Sequence, residues 1–247
     1  MNPVRSIWQT GNPITFFHTR VVTEDLLRQV INEGKSIELD ISSGANGSLY
    51  IGHHKLFYEF EQIPKPKNIS VEGAIEILSN SDVFIKFDCK DKNVLARVEK
   101  IIKKIGRRDR CMLHAFVPEL DFTSCAAGAA VGLQWQQHEY IPLDDMVKLK
   151  KGCADIPLQV SCRALSKAQV LKDKLAIVDE IIRSVRKKAE VVNFNLPDNE
   201  PPPNIAISKL YNAGLLTEIR VENLIGREIG LPYFGVSDYL ERVSAFP

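Results

Sequence analysis

Residues 18–54 read HTRVVTEDLLRQVINEGKSIELDISSGANGSLYIGHH. The stretch opens on His18, at the end of the apolar run of residues 14–17, and closes on His53-His54 after a turn at Asn46-Gly47. Thr23 stands where it caps a helix over residues 24–32, whose Leu26, Leu27, Val30 and Ile31 recur at helical spacing. Gly34 supplies the positive φ that ends such a helix. Residues 36–41 then alternate as a strand does. Glu38 and Asp40 share one face, and Leu39 and Ile41 share the other. Strand, helix, strand is the unit of a parallel α/β sheet.

The rest of the chain repeats that unit. Short apolar runs at 83–88, 111–116, 157–162, 191–195, 215–221 and 233–237 follow the first two. Between them lie helical segments at 71–79, 93–105, 142–152, 166–188 and 205–212, and one that reaches about residue 229. Residues 49–53 read as a short strand or an ordered loop. Residues 55–69 and the DNEPPP segment at 198–203 read as loops. Eight β runs predict a (β/α)8 TIM barrel formed as a single domain over residues 1–247. A doubly wound sheet is the competing architecture, and the lack of a glycine-rich phosphate loop after the first strand weighs against it.

Bulk composition narrows the function. Of 247 residues, 45% are hydrophobic and 26% charged, values of a globular protein with a sizeable core. Lys plus Arg number 32 against 31 Asp plus Glu, which gives no electrostatic basis for nucleic-acid binding. The basic run Lys103, Lys104, Arg107, Arg108 and Arg110 reads as a solvated helix end. Five cysteines without CxxC spacing point to a reducing compartment. The N-terminal residues lack a signal-peptide core, and no apolar run is long enough to span a bilayer. A cytoplasmic location is the expectation. Oligomeric state is not legible.

In a barrel, active-site residues sit at the C-terminal strand ends. His18 ends the first strand, Glu38 and Asp40 lie near the end of the second, and Asp88 ends the third with Lys90 two residues on. Singly, each has an ordinary structural reading, such as a salt-bridged E-x-D or a satisfied histidine. Together they fall at one end. Carboxylates inside a barrel are costly unless neutralised. Glu38, Asp40 and Asp88 are hard oxygen ligands suited to one divalent cation, Mg²⁺ or Ca²⁺. His114, Arg163, and the pair Asn193 and Asn195 are further polar candidates along the strands. Trp135 with Gln134, Gln136 and Gln137 marks the long loop after the fourth strand.

The order of histidine, E-x-D, a turn with glycine, and a second histidine resembles the glycerophosphodiester phosphodiesterase and phospholipase-D-toxin group, which has a phosphatidylinositol-phospholipase-C-like barrel. The family's D-G-x-x-V-x-x-H-D motif reads Asn46-Gly47-Ser48-Leu49-Tyr50-Ile51-Gly52-His53-His54 here. Phe87-Asp88-Cys89-Lys90 resembles the toxin-like D-x-K strand. Ala213-Gly214-Leu215, Val221-Glu222-Asn223 and Gly235-Val236-Ser237-Asp238 resemble the family's closing segments. ITFFH and IKFDCK are also similar to a menorin-type relative. Departures are His18-Thr19-Arg20 for H-R-G, His54 for an aspartate, Arg220 where a tryptophan is usual, and no P-E-N-T segment.

The resemblance implies a phosphoric diester hydrolase or phospholipase-D-like lyase. Its substrate would be a small or lipid-derived phosphodiester such as a glycerophosphodiester. It implies His18 and His53 as acid and base in either order and Lys90 as a charge stabiliser. Arg20 and His54 are candidate substrate-binding residues beside these motifs, and Arg163 and Asn193 are candidates by their strand positions. The alternative is a catalytically degenerate barrel that binds a ligand or acts as a scaffold.

Overall fold

Alternation in the strands decides which side of the sheet each residue faces. In the strand Ile85–Cys89, Ile85, Phe87 and Cys89 join the main apolar core, while Lys86 and Asp88 are buried on the opposite face. The computed structural model describes residues 1–10, 12, 14, 16–18, 22–44, 46–52, 68–90, 92–116, 143–152, 155–162, 171–194, 204–218 and 237–239.

The strands are β1 (Phe16–His18), β2 (Ser36–Ser43), β3 (Leu49–Ile51), β4 (Ile85–Cys89), β5 (Cys111–Phe116), β6 (Leu158–Cys162), β7 (Val191–Phe194), β8 (Leu216–Glu218) and β9 (Ser237–Tyr239). The helices are α1 (Pro3–Thr10), α2 (Glu24–Asn32), α3 (Val71–Ser79), α4 (Lys92–Ile105), α5 (Leu143–Gly152), α6 (Leu171–Val185) and α7 (Asn204–Asn212). Eight strands pair in the order β8-β7-β6-β5-β4-β2-β1-β9, each neighbour pair parallel. β3 folds back antiparallel on Ile41–Ser43 of β2, on the edge that β1 leaves after residue 38.

The expected caps form. The Thr23 hydroxyl accepts the Leu26 N–H at 3.2 Å and Ser70 accepts that of Gly73 at 3.0 Å. Apolar faces of α2 through α7 cover the outer side of the sheet in one core. Leu27, Ile75, Val98, Met146, Ile181 and Leu210 each contribute to it. Helix α4 ends in the basic run. There Arg107 donates to the carbonyls of Ser79 and Ser81, both at 2.5 Å, and Arg108 pairs with Asp155. These arginines tie secondary elements together.

The sheet is curled. The Lys86 ammonium of β4 meets the Glu218 carboxylate of β8 at 2.6 Å, although three strands lie between them. On a flat sheet those strands would stand about 19 Å apart. The expectation of a closed (β/α)8 TIM barrel of the phosphodiesterase type is nevertheless corrected. Among the described residues no ladder joins β8 to β9, so the sheet is an open half-barrel. Alternation identifies strands. Closure also needs the last pair to be long and staggered enough to meet, and β8 and β9 have three described residues each.

Helix α1 is absent from the sequence-based expectation. Asn2 accepts the Arg5 N–H at 2.7 Å and Pro3 takes the first helical position, a start signal confined to two residues. Its Val4 and Ile7 pack against Phe16, Met112, Val191 and Leu216, which lie at or next to the first residues of β1, β5, β7 and β8. Helix α1 therefore seals the N-terminal end of the curl, and Trp8 stacks on Tyr211 with ring centroids 4.6 Å apart. Among the described residues no helix is long and apolar enough to cross a membrane. Ile7→Ala should lower the unfolding free energy by about 2–5 kcal/mol in denaturant titrations. A loss below about 0.5 kcal/mol, the range of surface substitutions, would show that α1 does not seal this end.

Candidate active site

Two tiers of buried charge occupy the inner face of the curl. The upper tier is a chain across four strands. His18 Nε2 lies 3.1 Å from Asp40 Oδ2, and Asp40 Oδ1 lies 2.9 Å from Lys90 Nζ. Lys90 Nζ reaches Asp88 Oδ2 at 2.5 Å, and Asp88 Oδ1 lies 3.2 Å from His114 Nδ1. The sequence places these partners through strand periodicity. Asp40 and Asp88 are register partners on β2 and β4, and Asp88 and His114 are partners on β4 and β5.

The lower tier is built on Lys86. Its ammonium donates to Glu38 Oε2 at 3.0 Å and to Glu218 Oε1 and Oε2 at 2.6 and 2.7 Å. Gln159 Nε2 donates to Glu218 Oε2. All members of both tiers are buried, and Lys86 and Gln159 are 0% exposed.

The electrostatics follow from these neighbours. Burial opposes a charge on His18, but the Asp40 and Glu38 carboxylates outweigh it and raise its pKa. Burial likewise opposes the Lys86 and Lys90 ammoniums. Glu218 and Glu38 around Lys86, and Asp40 and Asp88 around Lys90, outweigh it and raise both. For Asp88, burial is overcome first by Lys90 and then by His114, so its carboxyl is held well below the usual range. For Glu218, burial is overcome by Lys86 and then His114, and its pKa is lowered.

Four carboxylates thus face two ammonium groups. The buried carboxylates Glu38, Asp40, Asp88 and Glu218 outnumber the buried lysines Lys86 and Lys90, and a divalent cation is one group that offsets such an excess. Two sets of donors have ligand atoms within 4.8 Å of one another, namely His18, Glu38 and Asp40, and Glu38, Asp88 and His114. Both carboxylate-rich sets suit a hard cation, and Glu38 belongs to each. The donor set therefore fits a divalent cation. Cys89 and Cys111 lie in the apolar core on the other face of the sheet, and burial pushes the Cys111 thiol up to about 12.

Of the residues singled out in the sequence, His18, Glu38, Asp40, Asp88 and Lys90 converge. Asn193 is buried on β7 and is the register partner of Glu218. Arg20, His53, His54 and Arg163 lie outside the described residues. Beyond β3 the Gly52 N–H donates to the Asp40 carbonyl at 2.7 Å, and Ser42 Oγ donates to the Gly52 carbonyl at 2.7 Å. Gly52 has φ 126°, a value that favours glycine. Lys86, Gln159 and Glu218 are not among the sequence-based candidates, and His114 is among the further polar ones. For Lys86 the signal was available, since it precedes Asp88 by two residues and so shares its face.

No family model matches the chain, and no curated protein matches it. Solved structures do. A candidate glycerophosphodiester phosphodiesterase from Galdieria sulphuraria superposes with a TM-score of 0.57 at 10% identity, covering 92% of this chain and 93% of that one. A candidate phosphonomutase from Burkholderia cenocepacia J2315 has a TM-score of 0.47 at 11% identity, covering 95% and 90%. The first likeness is one of fold.

The Glu218 pair has a testable pH signature. Because the folded pKa of Glu218 lies below its ordinary 4.5, its contribution is complete above that value. It is lost as pH falls through the folded pKa. Glu218→Gln should cost about 3 kcal/mol at pH 7, the low end for a broken buried pair because Lys86 keeps Glu38. In thermal melts across pH the gap to the wild type should narrow below pH 4.5. A gap that stays constant into acid would refute the assignment.

Proposed function

We propose that the chain is a metal-dependent phosphodiesterase acting on a small or lipid-derived phosphodiester, with a glycerophosphodiester as the first substrate to test. The observation that carries the reading is the convergence of Glu38, Asp40 and Asp88 with His18, His114 and Lys90 on one inner face. A phosphodiester needs charge on its non-bridging oxygens and proton transfer at both the attacking and the leaving oxygen. This set of side chains supplies the charge and, in His18, one of the two proton-transfer groups.

Glu38, Asp40 and Asp88 are the proposed ligands of one Mg²⁺ or Ca²⁺ ion, with His18 and His114 beside them. When bound, such an ion polarises a phosphoryl oxygen and offsets the charge of the diester. Asp40 fixes the ring of His18, so that its imidazole moves a proton at a defined position. His53 is the second proposed acid/base group. One imidazole takes the proton of the attacking hydroxyl or water, and the other gives a proton to the departing alkoxide. Lys90, held between Asp40 and Asp88, contributes fixed positive charge. Arg20, His54, Arg163 and Asn193 are the proposed substrate-facing groups. A neighbouring hydroxyl as nucleophile gives a cyclic phosphate and makes the enzyme a lyase; water gives the monoester.

A second reading is favoured by one observation. Lys90 already bridges Asp40 and Asp88, as a purely structural charge network would. In that case the half-barrel binds a ligand or serves as a scaffold without turnover.

Release of alcohol from a glycerophosphodiester should require Mg²⁺ or Ca²⁺ and stop with a chelator. His18→Ala should lower kcat by about 10²- to 10⁴-fold while the thermal melt stays cooperative. Phosphorus NMR of the product separates the cyclic phosphate from the monoester. Turnover absent over a broad diester panel with either cation would favour the scaffold reading, and turnover unchanged in His18→Ala would refute the acid/base role of His18.

A further inference from the structure

We infer that Lys86 is a positioning residue for the cation site, holding Glu38 as a pre-set ligand from beneath. The inference rests on the proposed cation site and deepens it. An ammonium has three donors. Here the two oxygens of Glu218 and Oε2 of Glu38 are the three acceptors around Nζ, at 2.6, 2.7 and 3.0 Å. Lys86 is thereby saturated, and it is fully buried. Glu218 is in turn fixed by the Gln159 amide. The ammonium therefore has one place to be, and Glu38 Oε2 is tied to it.

Glu38 is also the member shared by the two donor sets. Whichever set takes the ion, Glu38 contributes, and Lys86 fixes its orientation. Groups that orient a metal ligand in this way typically account for 10- to 100-fold in metal affinity. The competing account is that Lys86 balances charge only. Net charge separates the two. Glu38, Lys86 and Glu218 sum to one negative charge, and so does Glu38 alone in a K86M/E218Q or K86M/E218L variant. Replacing a buried ion pair by uncharged groups of similar volume is often neutral for stability, and two versions guard against one failing to fold.

Mn²⁺ binding is measured by electron paramagnetic resonance without substrate, on the whole chain, beside thermal melts in chelator. The wild type should bind Mn²⁺, and each folded equal-charge variant should bind about 10- to 100-fold more weakly. Equal affinity in wild type and a folded variant would overturn the positioning role and leave the cation site standing. No Mn²⁺ binding by the wild type would overturn the cation site itself, and the positioning role with it.

Discussion

The molecule depends on two lysines of one strand, each gripped by two carboxylates. Lys86 lies between Glu38 and Glu218, and Lys90 between Asp40 and Asp88. Because the side chains of a strand alternate, the sequence IKFDCK puts Lys86, Asp88 and Lys90 on one face and Ile85, Phe87 and Cys89 on the other. The apolar face meets the helices. The charged face has to find partners, since a buried charge without one is far more costly than a buried pair. Curling the sheet brings those partners within reach. The contact from β4 to β8 spans a curl that the backbone leaves open between β8 and β9 among the described residues.

This arrangement also explains why the site is pre-formed. Each Asp holds a histidine as well as Lys90, so rotating one side chain disturbs its neighbours on either side. Such networks are costly when partly satisfied and rigid when complete. The plug of α1 below and the hydrogen-bonded return of β3 beside Asp40 fix the strands that carry them. Rigid placement of charge is the property that phosphoryl chemistry uses. A fold-level likeness at 10% identity adds the architecture and no residue roles.

The order of strands and helices was legible because periodicity and caps are local signals, as Thr23 and Ser70 illustrate. The E-x-D pair and the aspartate of the next strand were legible for the same reason, and their register on β2 and β4 follows. What neutralises them was not. The carboxylates by themselves suggest a cation for that task, whereas Lys86 and Lys90 perform half of it. Glu218 could not be paired with Lys86 from sequence, because 132 positions separate them and the contact exists only through the curl. Closure of the sheet failed as an expectation for a similar reason, being a property of strand length and stagger together. Helix α1 was missed because its start signal is two residues and its buried face only Pro3, Val4 and Ile7.

A cation held by the carboxylates that outnumber Lys86 and Lys90 is the central claim. The direct measurement is a crystal soaked in Mn²⁺ with data collected for anomalous scattering. The account predicts a single strong peak in contact with Glu38 and with Asp40, Asp88 or both. A map without a peak at those carboxylates, with Lys86 and Lys90 still spanning them, would contradict it.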